Sequence, residues 1–242
     1  MTGDARRQLW VVRLGLMDYA QALDLQRAIA RARIAGTVAQ DVLLLVEHPP
    51  VVTLGRATTE RNLTASRELL TARGVELFDV ERGGDVTFHG PGQLVGYPII
   101  DLKRHKRDLH WYLRQVEDGL IVALGTHGIP GERTTGYTGV WTGGRKIASI
   151  GVHARDWVTW HGFALNVNTD LAFFELIVPC GIAGVDMTSM RRELRVPALG
   201  LPGVESSVAR AFGHAFALDV TELSYADIEP ALDHARAVRT PA

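Results

Sequence analysis

Cys180, in the segment IVPCGI, is the single cysteine of the chain. A lone thiol cannot close an internal disulfide or build a multi-thiolate zinc site. What remains is an inert buried thiol or a nucleophile, and the Pro179-Cys180-Gly181 setting predicts a tight turn that presents the sulfur to a cleft. Lys146, in GGRKIASIG, lies near the start of a strand otherwise filled with small and apolar residues. Such a lysine either snorkels to water or stands beside a thiol. In the second case its ammonium stabilises thiolate and, once neutral, it accepts a proton. A third block runs Arg82-Gly83-Gly84-Asp85-Val86-Thr87-Phe88-His89-Gly90-Pro91-Gly92-Gln93. Its glycines let backbone approach a ligand closely. It is neither a Walker A loop, since no Gly-Lys-Ser/Thr ends it, nor a dinucleotide fingerprint, since no G-x-G-x-x-G opens a helix there. Taken alone, it is equally a turn-rich structural loop and a ligand loop. His89, His153 and His161 show neither H-E-x-x-H nor H-x-H spacing, so no metal site is expected.

These residues need elements to hold them. Residues 8–15 read as a strand and 17–35 as an amphipathic helix. Residues 41–55 read as two strands interrupted by Pro49-Pro50. A short helix is expected over 64–73, capped by Thr64 and ended by Gly74, with strands at 76–80 and 94–100. Residues 108–128 predict a strong helix with Asp108 as N-cap. GVWTGGRKIASIGVHA predicts a hairpin turning at Gly143-Gly144, continued by WVTWHGFALNVN. Helices are expected at 203–217 and 226–238, followed by a frayed tail after Arg236. Strands and helices mix without a βαβ rhythm. The expected class is α+β, a mixed, mainly antiparallel sheet with helices covering one face.

Composition narrows the function. The chain has 242 residues, 46% hydrophobic and 22% charged, with a formal net charge of −1. That length fits one to two domains, and a single compact domain over 1–242 is expected. No global field favours nucleic acid. The longest apolar runs, VLLLVE and YPIIDL, are strand-sized and predict no membrane span. The N-terminal segment does not read as a signal peptide, and one cysteine fits a reducing compartment, so a cytoplasmic protein is expected. Lys103-Arg104-His105-Lys106-Arg107 is the densest basic cluster. It is expected as an exposed loop, either merely solvated or docking an acidic partner.

The blocks EHPPVVTLGR (47–56), RGGDVTFHGPGQLVGYPIIDL (82–102), GVWTGGRKIASIGVH (139–153), HGFALNVN (161–168), PCGI (179–182) and TSM (188–190) together resemble one family, the octanoyltransferases of lipoate biosynthesis. The resemblance implies the α+β fold shared with lipoate and biotin protein ligases. It implies transfer of an octanoyl group from octanoyl-acyl carrier protein to a specific lysine of the lipoyl domains of 2-oxoacid dehydrogenase and glycine cleavage subunits. It places the acyl-thioester nucleophile at Cys180 and a thiolate-stabilising acid/base partner at Lys146. It places acyl binding at Arg82, Gly83, Gly84, Asp85, Val86, Thr87, Phe88, His89, Ser149, Ile150, Gly151, Gly162, Phe163 and Ala164. It further implies a monomer without cofactor and a single catalytic domain with its core in 8–220, and if the 103–107 run docks a partner rather than being merely solvated, it makes acyl carrier protein the candidate.

The residues agree with that chemistry. A thioester donor and an amine acceptor suit an acyl-enzyme route. Backbone N–H groups beside glycine, Gly181 among them, are expected to face the oxyanion. The acyl chain is expected in an apolar groove, with Gly151, Gly162 and Ala164 leaving room for it. An ATP-dependent lipoate or biotin protein ligase is the rival on the same fold. It needs no cysteine nucleophile, and GGDVTFHGPGQ differs from the lipoate-ligase pattern SGGGAVxHDxGN. A non-catalytic carrier- or acyl-binding module would keep the groove without needing both Lys146 and Cys180.

Overall fold

The computed structural model describes residues 7–59, 62–182 and 184–237, so 238–242 of the expected tail lie outside the described residues. In chain order the strands are β1 (Gln8–Leu16), β2 (Asp41–Glu47), β3 (Val51–Leu54), β4 (Glu76–Asp79), β5 (Thr87–His89), β6 (Gln93–Ile99), β7 (Gly139–Thr142), β8 (Arg145–Arg155), β9 (Val158–Asn166) and β10 (Asp219–Leu223). The helices are α1 (Tyr19–Ala35), α2 (Arg67–Ala72), α3 (Leu109–Gly125), α4 (Met190–Leu194), α5 (Leu201–Ala215) and α6 (Tyr225–Ala237).

Seven strands form one sheet in the order β10-β1-β2-β6-β9-β8-β7, and β4-β3-β5 form a second, smaller one. In the large sheet β1 pairs in parallel with both β10 and β2, and every other neighbouring pair is antiparallel. The sheet is thus mixed and mainly antiparallel. β2 and β9 are buried along nearly their whole length. Strands hidden on both faces need cover on both faces, which corrects the one-sided arrangement expected from sequence. Tyr112 and Leu120 of α3 and Phe212 of α5 pack with Leu43 and Leu165 on one side. Leu25 and Ile29 of α1 and Ile228 of α6 pack with Leu44 and Val95 on the other.

Pro49-Pro50 ends β2, and the chain crosses into the small sheet at β3. Val52, Phe88, Phe174 and Met187 build a separate core there. The β7–β8 hairpin turns at Gly143-Gly144 as expected, both at positive φ (51° and 77°). Asp108 caps α3 by accepting from Trp111 N–H at 3.0 Å. The cap of α2 is Ser66, not Thr64. Its hydroxyl accepts from Leu69 N–H at 3.2 Å, whereas Thr64 Oγ1 donates to Glu175 O at 3.0 Å. β5, β10 and α4 are additional short elements that the sequence pattern does not announce.

Candidate active site

Lys146 does not snorkel. β8 carries it through a bulge against β7, and its backbone is clipped on both sides to the segment ahead of α4. Lys146 N–H donates to Asp186 O at 2.8 Å, and its carbonyl accepts from Thr188 N–H at 2.9 Å. The side chain is 1% exposed. Its Nζ lies 5.0 Å from the centre of the Trp141 ring and 3.2 Å from Cys180 Sγ. Cys180 sits in the 3-10 turn Pro179–Gly181 at φ 56°, ψ 21°, a left-handed conformation that costs a non-glycine residue about 1–2 kcal/mol. Its N–H donates to Val86 O at 3.0 Å, anchoring the turn to the chain that enters β5. Its thiol faces Ser149 Oγ at 3.7 Å. Two side chains of β8 thus meet the sulfur of a turn some thirty residues further along the chain.

The sulfur opens on a cavity of about 320 Å³, large enough for a small ligand. The cavity lies between the two sheets and the start of α1. Of the residues singled out above, Arg82, Gly84, Asp85, Thr87, His89, Ser149, Ile150, Gly151, Gly162, Phe163 and Ala164 line it. Gly83, Val86 and Phe88 do not line it. Side chains alternate across the extended stretch 85–89. Asp85, Thr87 and His89 face the cavity, while Val86 and Phe88 turn into the small-sheet core. Phe88 stacks there on Phe173 with ring centres 4.7 Å apart. Gly83 ties the loop to β8 through its N–H to Val152 O at 2.8 Å. The Phe163 ring packs on Phe212 at 5.1 Å on the opposite face, so Phe163 meets the cavity through its backbone.

Two expectations about this wall need correction. Gly151 and Gly162 do not simply leave room for a ligand. A Cβ at Gly151 would meet Gly83 O at 2.9 Å, and one at Gly162 would meet Gly96 O at 2.1 Å. Both glycines allow backbone to approach backbone. The Gly181 N–H is already bonded to Val178 O at 3.0 Å, so it does not point at the sulfur's reaction partner. Arg82 offers no free fork to a ligand. Its five donors end on Thr53 O and Oγ1, Gly83 O and Asp85 O. This buried guanidinium holds the loop in shape.

The sequence reading missed the aromatic and imidazole groups of the cavity's inner end. Tyr19, Tyr97 and His161 line it beside His89. His48, behind them, donates from Nδ1 to Met17 O at 2.7 Å and accepts at Nε2 from the Tyr97 hydroxyl at 2.7 Å. His89 donates from Nδ1 to Gln93 Oε1 at 2.8 Å. Burial pushes His48 down to about 4 and His89 down to about 3, so both are neutral at pH 7. Burial raises Tyr19 to about 12. The inner end is therefore polar, with two neutral imidazoles beside the buried Arg82 guanidinium, unlike the apolar groove expected.

The 103–107 run is only partly the exposed loop predicted. Lys103, Arg104, Lys106 and Arg107 are exposed. His105 turns inward and its Nε2 lies 2.8 Å from Asp41 Oδ2. Lys103 pairs with Asp101 at 3.6 Å and Lys106 with Asp108 at 3.0 Å. Leu102 N–H donates to Trp157 O at the β8–β9 turn. Lys146 begins the same hairpin nine residues before its tip at Arg155, a separation of roughly 30 Å at the usual rise of a strand.

Comparison with known proteins now bears on this geometry. Residues 18–213 match the model of the lipoyl protein ligase A/B catalytic domain. An octanoyltransferase of Koribacter versatilis is 51% identical over 211 residues, covering 85% of this chain and 83% of that protein. An octanoyltransferase of Acidobacterium capsulatum is 48% identical over 237 residues, covering 92% and 96%. The chain belongs to this family, among its octanoyltransferases. A putative lipoate protein ligase from T. acidophilum superposes with a TM-score of 0.72 at 16% identity, covering 96% of this chain and 94% of the other. A lipoate-protein ligase A bound with ATP does so at 0.71 and 17%, with the same coverage. Identities that low speak for a shared fold alone. Against that shared fold, the octanoyltransferase assignment rests on the near-50% identities. Among the described residues, no helix is long and apolar enough to cross a membrane.

Proposed function

We propose that this chain transfers an octanoyl group from octanoyl-acyl carrier protein to a lysine of lipoyl domains, through a thioester on Cys180. One observation carries the reading: a buried lysine Nζ stands 3.2 Å from the sole thiol, at a cavity of the right size for a medium acyl chain. Lys146 takes the thiol proton, and the thiolate attacks the donor carbonyl. The carbon–sulfur bond to the carrier's pantetheine breaks, and Lys146 returns the proton to that leaving thiolate. The neutral amine of the acceptor lysine then attacks the enzyme thioester. Cys180 leaves as thiolate, and the amine proton passes to Lys146, which regenerates the thiolate–ammonium pair formed by the first proton transfer, ready for the next donor. The donor is already an activated thioester, so the route calls for no ATP. The Thr87 hydroxyl, buried, unpartnered and on the cavity side of β5, takes the oxyanion-donor role in place of Gly181. Burying seven methylene and methyl groups of the chain contributes about 5 kcal/mol of donor binding. A single reduced thiol as nucleophile suits a cytoplasmic setting.

Incubation with octanoyl-acyl carrier protein should add one octanoyl group by intact mass, removable with hydroxylamine. The Cys180→Ala variant should add none. An adduct that persists in that variant refutes the nucleophile. Loading from free octanoate and ATP, without a thioester donor, would instead favour the ligase reading.

A further inference from the structure

The dyad uses one end of the cavity, and the polar inner end has no part in transfer. Strand register sets the distance between the two. Ser149, which faces the sulfur, pairs with Ala164, and Val152 pairs with His161. Three residues of strand advance roughly 10 Å. The seven carbon–carbon bonds of an extended octanoyl chain, each about 1.5 Å, span roughly 9 Å. The His161 row therefore lies where the eighth carbon ends.

At that row the wall changes character. His161 Nε2 is buried, and Glu81 Oε2 faces it at a long 3.7 Å. Gln26 accepts from His161 N–H at 3.0 Å through Oε1, while its buried Nε2 has no partner. Tyr97 and Tyr19 bring hydroxyl groups to the same end. His161 holds a left-handed backbone (φ 56°), so its imidazole is fixed here against the local preference of the chain.

We infer that His161, backed by Gln26 and flanked by Tyr97 and Tyr19, is the chain-length stop of the acyl pocket. This inference rests on the transfer reading of the site. Eight carbons fill the stretch from Cys180 to the His161 row. Further methylenes would press against these buried polar groups and shut water from them, which binding cannot recover from apolar contact. His161 and Gln26 are specificity-determining residues and take no part in bond making.

The test is single-turnover acylation of Cys180, followed by intact mass, with acyl-coenzyme A donors of six to twelve carbons. The native protein should load the twelve-carbon chain at least about tenfold more slowly than the eight-carbon chain, the factor that corresponds to 1.4 kcal/mol. His161→Leu and Gln26→Met should each raise the ratio of twelve- to eight-carbon rates by about tenfold. Thermal melts identify the variants that remain folded. A flat profile in the native protein overturns the stop, whether or not the variants fold. An unchanged ratio in folded variants also overturns it. If no donor acylates Cys180, the transfer reading fails and takes this one with it. Octanoyl loading with a flat profile removes the stop alone.

Discussion

Replacing Lys146 with methionine should raise stability while it removes activity. The ammonium is 1% exposed, and among the described residues its one side-chain hydrogen bond is to Cys180. A neutral thiol returns little of the several kcal/mol that desolvating an ammonium costs. A thiolate returns more. At 3.2 Å and an effective dielectric constant of 20, the pair attracts by about 5 kcal/mol. Methionine keeps the stem volume and the contact with the Trp141 ring but needs no partner. With the ammonium gone the thiol keeps its proton, so no unpaired buried charge is left, and the change should stabilise by about 1–4 kcal/mol, as when apolar groups replace a whole buried ion pair. For a chain of this length that is a Tm rise on the order of 5 °C. The same change removes both the thiolate's counter-charge and the proton carrier, so octanoyl loading should slow by roughly 10²–10⁴. Alkylation of Cys180 by iodoacetamide at pH 7 should slow as well. Calorimetry, intact-mass acylation and timed alkylation measure the three. A lower Tm with acylation retained would refute the argument. The Lys146 side chain would then support the fold and not do chemistry.

Arg82→Lys should lose both stability and acylation, because three ammonium donors cannot replace the five that hold Thr53, Gly83 and Asp85. A loss of about 2–4 kcal/mol is expected in urea melts, and a native-like melt would show that the loop shapes itself without the guanidinium. Stability should also fall as pH drops below about 6.5. The unfolded chain protonates its histidines there, while His48 and His89 resist until about 4 and about 3. The unfolded state then binds more protons, so the contribution is full above pH 6.5 and is lost progressively down to about pH 3. Its size is on the order of several kcal/mol. Urea midpoints between pH 7 and 5 isolate this from the carboxylates, and His48→Gln should flatten the slope. A midpoint independent of pH in native protein would contradict the burial argument.

Much of the site was legible because its chemistry is concentrated in short blocks. Cys180 stood out by being alone, and the glycines around 82–92 announced close backbone approach. Lys146 was less so. A strand lysine ordinarily snorkels, and nothing local shows that Trp141 and the 186–188 segment close over it. The alternation of Val86 and Phe88 with Thr87 and His89 was present as a period of two, but glycine-rich surroundings masked a strand of three residues. His105 could not be separated from its basic neighbours, because its partner Asp41 lies on another strand. The polar inner end was invisible for the same kind of reason. His161, Tyr97 and Tyr19 converge only through the register of β6, β8 and β9 and the placement of α1. Helix cover on both faces was readable in the apolar run of β2, less so in β9, where glycine and histidine dilute it.

The order in which the chain is made gives the Pro179–Gly181 turn a further meaning. The cavity's walls run from Tyr19 to Ile182, and β1 is flanked on one side by β10, which begins at Asp219. A nascent chain that has just exposed Cys180 still lacks the strand that completes the large sheet. Contacts this distant in sequence form late, since loop closure must precede them. The contact between Lys146 and Cys180 is thus a product of the folded whole: the two lie 34 residues apart in sequence and meet only once β8 and the Pro179–Gly181 turn are both in place.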